Sequence, residues 1–351
     1  MTDISNIDKN FYVAKNITRE GLVFHSADEA PFRIYGLQRN AERYFRVPMD
    51  VAKNVNDGVA RLSTNTAGGR VRFVTDSPYV AIAAEMDGLG KMPHFPLTGS
   101  IGFDMYVGVG ADQVYVGTFT PPYDITDGYE SVKDFEDARE RVITINFPLY
   151  SNVKQLFIGL KDGCSLSAAP DYRVEKPIVY YGSSITQGGC ASRPGNAYQA
   201  IISRRQDHNF INLGFSGSAR GEHAIIDYMC GLDMSLFVLD YDHNAPTVDH
   251  LQATHEHVYR CIRKAYPALP IIMMSRPKVH LNAEEIKRLE IVTQTYRNAV
   301  DAGDTNVYII PGPELIESDL IECATVDNCH PNDAGFVSMA NVLGKLIEKL
   351  V

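Results

Sequence analysis

From residue 177 onward the chain alternates between two periods, and few folds accept that pattern. Short β-branched and aromatic runs at 177–181, 209–213, 235–241, 270–274 and 306–310 have the length and apolar continuity of strands buried on both faces. Between them lie stretches of helical spacing: Val248, Leu251, His255, Val258 and Ile262, then Ile286, Leu289, Val292, Tyr296 and Val300. A final amphipathic run carries Phe336, Met339, Ala340, Leu343, Ile347 and Leu350. Strands that alternate with helices predict a parallel sheet covered by helices. In such sheets ligands bind at the carboxyl edge of the strands.

That edge is where the chemistry-bearing residues fall. Pro177–Tyr181 is followed by Gly182-Ser183-Ser184-Ile185-Thr186-Gln187-Gly188-Gly189, a serine turn flanked by glycines that can bend without a Cβ penalty. Near the end stands Asp327-Asn328-Cys329-His330-Pro331. One turn can set the Asp327 carboxylate on the His330 Nδ1, fixing the tautomer and leaving Nε2 to take a serine proton. Pro331-Asn332-Asp333 reads as the start of the last helix. Between the ends, Phe210–Gly214 leads to Gly217, and Leu236–Tyr241 leads to Asn244. A backbone N–H at Gly217 and a side-chain amide at Asn244 are suitable donors to a developing oxyanion. From the residues alone, a turn glycine and a cap asparagine read equally well at these two positions.

The four segments, in this order, resemble the SGNH (GDSL-type) hydrolase family. The resemblance implies that Ser184 is the nucleophile, His330 the general base and Asp327 the acid that orients it. It also implies that Ser184 N–H, Gly217 and Asn244 are the oxyanion donors. The usual Gly-Asp-Ser opening is Gly182-Ser183-Ser184 here, which leaves Ser183 as a competing nucleophile; register with Ile185-Thr186 favours Ser184. The usual Gly-x-Asn-Asp block is Asp242-His243-Asn244-Ala245. Upstream, Gly102-Phe103-Asp104-Met105-Tyr106 is similar to the GxDLY signature of the β-domain that precedes one esterase subgroup.

The chain has 351 residues, 45% of them apolar, enough for two cores. The expected division is an accessory β-domain at 1–165, a linker or bridging strand at 166–176, and the hydrolase at 177–351. Within the first part Val71–Thr75 and Ile143–Phe147 alternate, and Gly108–Asp112 reads as a hairpin loop between Met105–Val107 and Val114–Thr118. The charged stretch 131–141 reads as a short helix or loop. These short strands predict a sandwich, and the resemblance implies a jelly-roll. The expected fold class is therefore α/β: a flavodoxin-like three-layer α/β/α hydrolase domain behind a jelly-roll-like β-sandwich.

A net charge of −10 argues against a nucleic-acid surface, which needs basic patches. No run approaches the roughly 18 apolar residues of a membrane span. The start, Met1-Thr2-Asp3-Ile4-Ser5, lacks the pattern of a signal peptide, so a cytoplasmic protein is the default expectation, or an exported one if a leader has been trimmed. The six cysteines are expected as free thiols. No cofactor is expected. Neither His243, His250, His255 and His257 nor Asp240 with Asp242 has the spacing of a metal site, so no metal is expected either. Arg193 is a candidate substrate clamp for a carboxylate or sugar hydroxyl. The reading is a serine esterase acting on short acyl groups carried by a small molecule or glycan. An acyltransferase or thioesterase with the same triad, or a glycan-binding protein with a degenerate hydrolase half, are the alternatives.

Overall fold

The structure, a computed structural model, describes residues 16–351. Its first part runs β1 (Leu22–Ser26), β2 (Arg33–Tyr35), β3 (Gln38–Arg39), β4 (Tyr44–Phe45), α1 (Met49–Val55), α2 (Asp57–Leu62), β5 (Arg70–Thr75), β6 (Tyr79–Asp87), α3 (Leu97–Ser100), β7 (Phe103–Val107), β8 (Val114–Phe119), β9 (Gly128–Asp134), β10 (Arg141–Asn146), β11 (Asn152–Lys161) and β12 (Leu166–Ser167). Two large antiparallel sheets result, ordered β1-β11-β6-β9 and β12-β5-β10-β7-β8, with β2 also paired to β5, and β3 and β4 form a separate two-stranded sheet. Their inner faces supply one core in which Val71, Phe73, Phe103, Met105, Ile143 and Ile145 meet Val80, Ile82, Leu156 and Ile158. These residues sit at alternate positions along their strands, as a period of two requires.

One expectation needs correction here. Residues 131–134 are neither helix nor loop: they belong to β9, which pairs with β6 from Tyr79↔Asp134 to Glu85↔Gly128. This is an edge strand, and charged residues suit an edge. The polar positions of β5 do not face solvent. Arg70 and Arg72 point away from the sandwich core yet are 2% and 0% exposed: Arg70 reaches Asn209 and Phe210 of the second half, and Arg72 lies 4.2 Å from the Tyr172 ring centroid.

That half contains β13 (Val174–Gly182), α4 (Ser184–Gln187), α5 (Tyr198–Gln206), β14 (His208–Gly214), α6 (His223–Cys230), β15 (Leu236–Asp240), α7 (Val248–Ala265), β16 (Ile271–Met274), α8 (Ala283–Asp301), β17 (Val307–Ile310) and α9 (Asp333–Leu350). The five strands are all parallel, in the order β14-β13-β15-β16-β17. On one face α6, α7 and α8 pack on Val179, Tyr181, Phe237, Leu239 and Met273. On the other, α5 and α9 pack on Ile178, Tyr180, Val238 and Ile272. This is a three-layer α/β/α arrangement. The chain leaves β13 for β14 on one side and then crosses to β15 on the other, so β13 is the topological switch point.

The apolar stripe expected on α8 is rotated. Ile286 and Val300 are 45% and 44% exposed, while Glu285, Arg288, Ile291, Val292, Thr295 and Ala299 face inward. Polar residues take core positions because they have partners there. The Arg288 guanidinium donates to the Asp242 and Ala245 carbonyls at 2.6 and 2.9 Å, and Glu285 closes a capping box and pairs with Arg276 and Lys278. Helix α9 buries the expected stripe from Phe336 to Ile347, with Asn332 as its cap.

The two halves share their interiors. Ala52, Val59 and Leu62 of α1 and α2 join the core beneath α6. Arg46, 2% exposed, donates to the carbonyls of Leu62 and Asn65 on one side and of Asn212 and Gly214 on the other. A buried carbonyl left without its donor costs about 1–3 kcal/mol, so this side chain ties the halves together. Arg70 bonds the Phe210 carbonyl at 3.0 Å and stacks 4.0 Å over its ring. Among the described residues no helix is long and apolar enough to cross a membrane.

Candidate active site

Ser184 opens α4 directly after the switch-point strand. Two glycines make the turn possible. A Cβ on Gly182 would lie 2.2 Å from the Asp240 carbonyl oxygen, and one on Gly214 would lie 2.1 Å from the Gln187 amide nitrogen. Ser183 serves as the helix cap: its hydroxyl accepts from Ile185 N–H at 3.1 Å and is wholly buried. Ser184 projects the other way. Its Oγ lies 3.0 Å from His330 Nε2, and His330 Nδ1 lies 2.8 Å from Asp327 Oδ2.

The loop before α9 holds this imidazole firmly. Asp327 Oδ1 accepts from the N–H of Cys329 at 3.1 Å and of His330 at 2.7 Å. Asn328 takes a left-handed φ of 61°, and Val326 N–H bonds the His330 carbonyl. With Nδ1–H donating to Asp327, Nε2 is left to accept from Ser184. Burial works against the Asp327 carboxylate, but the His330 N–H and imidazole outweigh it and keep Asp327 below its usual range. The imidazole is pushed the other way, up to about 9, first by the Cys329 thiol beside it and then by Asp327, against a lowering from burial.

A pH dependence follows, with its sign set by the need for a neutral base. Activity (kcat/KM) is expected to rise with pH through an ionisation above the ordinary histidine value of 6.5. Cys329→Ala should move that rising limb toward lower pH while keeping both hydrogen bonds to Asp327. A limb that stays in place in the variant would show that the thiol does not act on His330.

Gly217 lies on the turn after β14 and Asn244 on the separate turn after β15. Gly217 has φ 65°, with nothing within 4 Å of where a Cβ would be. Its N–H makes no hydrogen bond among the described residues. Asn244 ends a short 3₁₀ turn and donates one amide hydrogen to the Phe215 carbonyl at 2.8 Å. That bond fixes Asn244 against the segment that carries Gly217 and leaves its second amide hydrogen free. The Ser216 N–H bonds Gln187 Oε1 at 3.0 Å, which ties the same segment to α4.

Arg193 is held by the N-terminal half. Its guanidinium bonds Asp104 at 3.0 Å and the Tyr106 hydroxyl, and it lies 3.8 Å from the Tyr115 ring centroid. Asp104 and Tyr106 are the Asp and Tyr of Gly102-Phe103-Asp104-Met105-Tyr106, so that motif grips the loop that follows Ser184. Arg193 makes no hydrogen bond to Ser184, His330 or Asp327.

Three site residues escaped the sequence reading. Tyr150, from the loop after β10, donates its hydroxyl to the Ser184 carbonyl at 3.1 Å and packs edge-on against Phe95. His94, on the loop before α3, sets its ring 5.8 Å from that of His330. Thr186 donates to the buried Asp240 carboxylate at 2.9 Å. Only the last had a legible signal, as a carboxylate at a strand end facing the serine turn. All six cysteines are unpaired.

Comparison with known proteins agrees with this architecture. Residues 175–348 match the GDSL-like lipase/acylhydrolase family, and residues 22–166 match the GxDLY domain, described as the N-terminus of SGNH-type esterases. The chain belongs to this family and is an SGNH-type ester hydrolase. Among solved structures, a protein described as a GDSL-like lipase from Bacteroides ovatus is 27% identical with a TM-score of 0.84, covering 94% of this chain and 98% of its own. A salicylyl-acyltransferase, SsfX3, from a tetracycline biosynthetic pathway is 20% identical with a TM-score of 0.77, covering 95% and 98%. An acetyl xylan esterase from the rumen bacterium Butyrivibrio proteoclasticus is 11% identical with a TM-score of 0.60, covering 93% and 98%. No curated protein matches the chain.

Proposed function

We propose that the chain hydrolyses short-chain acyl esters, carried on carbohydrates, through a Ser184–His330–Asp327 triad. The observation that carries the reading is the unbroken relay of 3.0 and 2.8 Å from Ser184 Oγ to His330 to Asp327. Ser184 attacks the ester carbonyl as His330 takes its proton. The tetrahedral oxyanion is met by N–H groups of Ser184 and Gly217 and by the free amide hydrogen of Asn244. His330 then gives the proton to the leaving alcohol, water enters, and the same steps run in reverse to free the acid.

Short acyl groups are favoured because no long apolar lid segment is legible in the sequence. Carbohydrate as the alcohol half is supported by the layout that this chain shares with the acetyl xylan esterase. In this reading residues 1–165 form an accessory domain, 166–176 a connection and 177–351 the catalytic domain. The accessory part acts on the site through Tyr150 and through the grip on Arg193.

A panel of short-chain aryl esters and acetylated sugars, assayed with and without added alcohol acceptors, tests the reading. Free acid from acetylated sugars is expected. Acyl transfer that outpaces hydrolysis would assign the chain to acyl transfer instead. The oxyanion assignment has its own test. Asn244→Ala is expected to lower kcat by about 10²–10³ with little change in KM. If KM rises while kcat holds, Asn244 binds the substrate rather than the transition state.

A further inference from the structure

We propose that His94, Cys190 and His330 form a Zn²⁺ site that silences the esterase. The silencing, though not the site, rests on the catalytic reading above. The three side chains come from separate segments: the accessory loop before α3, the turn after α4 and the loop before α9. One ligand atom from each lies within 4.8 Å of the other two. Zinc bonds of about 2.0–2.3 Å to nitrogen and sulfur in a tetrahedral site put ligand atoms roughly 3.5 Å apart. The needed contraction falls on His94, which is exposed and makes no hydrogen bond among the described residues.

The other two side chains are held in place. Cys190 is 3% exposed and held at φ 78°, a left-handed conformation that few side chains adopt. Its turn is pinned by Ser192 N–H to Asp333 at 2.8 Å and by Thr98 Oγ1 to the Ser192 carbonyl at 2.6 Å. His330 already donates Nδ1–H to a carboxylate, the arrangement that orients metal-bound histidines. Its remaining nitrogen, Nε2, is therefore the one that a metal takes. That atom is also the partner of Ser184 Oγ, so zinc binding removes the base. Cys190 gives up its thiol proton to solvent as the Zn–S bond forms, with no change of oxidation state; water or Ser184 Oγ fills the fourth position.

Two other clusters are less apt. Asp327, Cys329 and His330 also lie close together, but both Asp327 oxygens are already engaged by N–H donors. Asp240, Asp242 and His243 converge as well, but both carboxylates are shielded from solvent. His94 gives the first cluster an open side.

The test combines binding and inhibition on the full chain. Cobalt(II), as a spectroscopic stand-in, is added to the Ser184→Ala variant, and a thiolate-to-cobalt charge-transfer band is expected. The band should vanish in a Ser184→Ala/Cys190→Ser double variant and weaken with Ser184→Ala/His94→Ala. In the Ser184-containing protein Zn²⁺ should inhibit ester hydrolysis, with reversal by a chelator. Half-inhibition should need at least about tenfold more Zn²⁺ in His94→Ala and Cys190→Ser, each compared with its own metal-free rate. Absence of the band, or inhibition that neither substitution weakens, overturns the site. A band without inhibition overturns the silencing. Because cobalt binding is read without turnover, a wrong catalytic assignment would leave that arm of the test intact.

Discussion

Ser184→Ala is expected to abolish ester hydrolysis, a loss on the order of 10⁶ in kcat, with the fold intact. The neighbouring hydroxyl provides the control. Ser183 is spent on capping α4, with Ile185 N–H 3.1 Å away, so Ser183→Ala should cost about 1 kcal/mol of stability, the usual value of a cap. It should leave most of the activity. Labelling with a serine-reactive phosphonate, followed by peptide mapping, checks both at once. Label found on Ser183 in place of Ser184 would refute the assignment, as would a Ser184→Ala protein that still turns over its ester.

Asp327→Asn carries the second largest effect, a fall of about 10⁴ in kcat, as expected when the orienting acid of a triad is neutralised. The amide can hold its place, but it can present an N–H to Nδ1 and so favour the tautomer with the proton on Nε2, where Ser184 must deliver its own. The variant has a second signature. Asp327 is one of the groups that raise the His330 pKa, so its loss should shift the rising limb of the pH profile toward lower pH. A rate that falls without any shift would mean that Asp327 positions the loop, through its bonds to the N–H groups of Cys329 and His330, without acting on the charge of the imidazole.

What the sequence disclosed follows from range. Four strands of the parallel sheet were legible within a residue because each is a continuous apolar run; β13 starts three residues before the expected 177, since its polar opening Val174-Glu175-Lys176 reads as linker. The spacing Asp327–His330 was legible because one turn contains the whole contact. The glycine-flanked serine turn was legible because the close approaches at Gly182 and Gly214 leave a mark in residue type. Contacts between the halves left none. Tyr150 lies in an ordinary run, Phe147-Pro148-Leu149-Tyr150, and nothing in it tells of a carbonyl 34 positions later. Nothing around Arg70, in an alternating strand, tells of the Phe210 carbonyl and ring that it meets 140 positions later. On α8 the spacing of Ile286 to Val300 was misleading because Arg288 and Glu285 have specific partners, and those partners outweigh hydrophobicity in deciding which face turns inward. Arg193, a candidate substrate clamp by its place in the chain, is engaged by Asp104 and Tyr106, which stand 89 and 87 positions away.

Helices α1 and α2 precede most of the sandwich in the chain but lend their apolar faces to the core beneath α6. Whoever exchanges N-terminal halves between relatives of this enzyme therefore cannot cut where the sequence changes character. A transplanted sandwich would arrive with two foreign helices that must fit the recipient's sheet, and with an Asp104 that expects an arginine at the position of Arg193. The portable module is not a contiguous stretch of chain but a set of matched surfaces, and a chimera that honours the linker while ignoring those surfaces has mistaken a seam for a hinge.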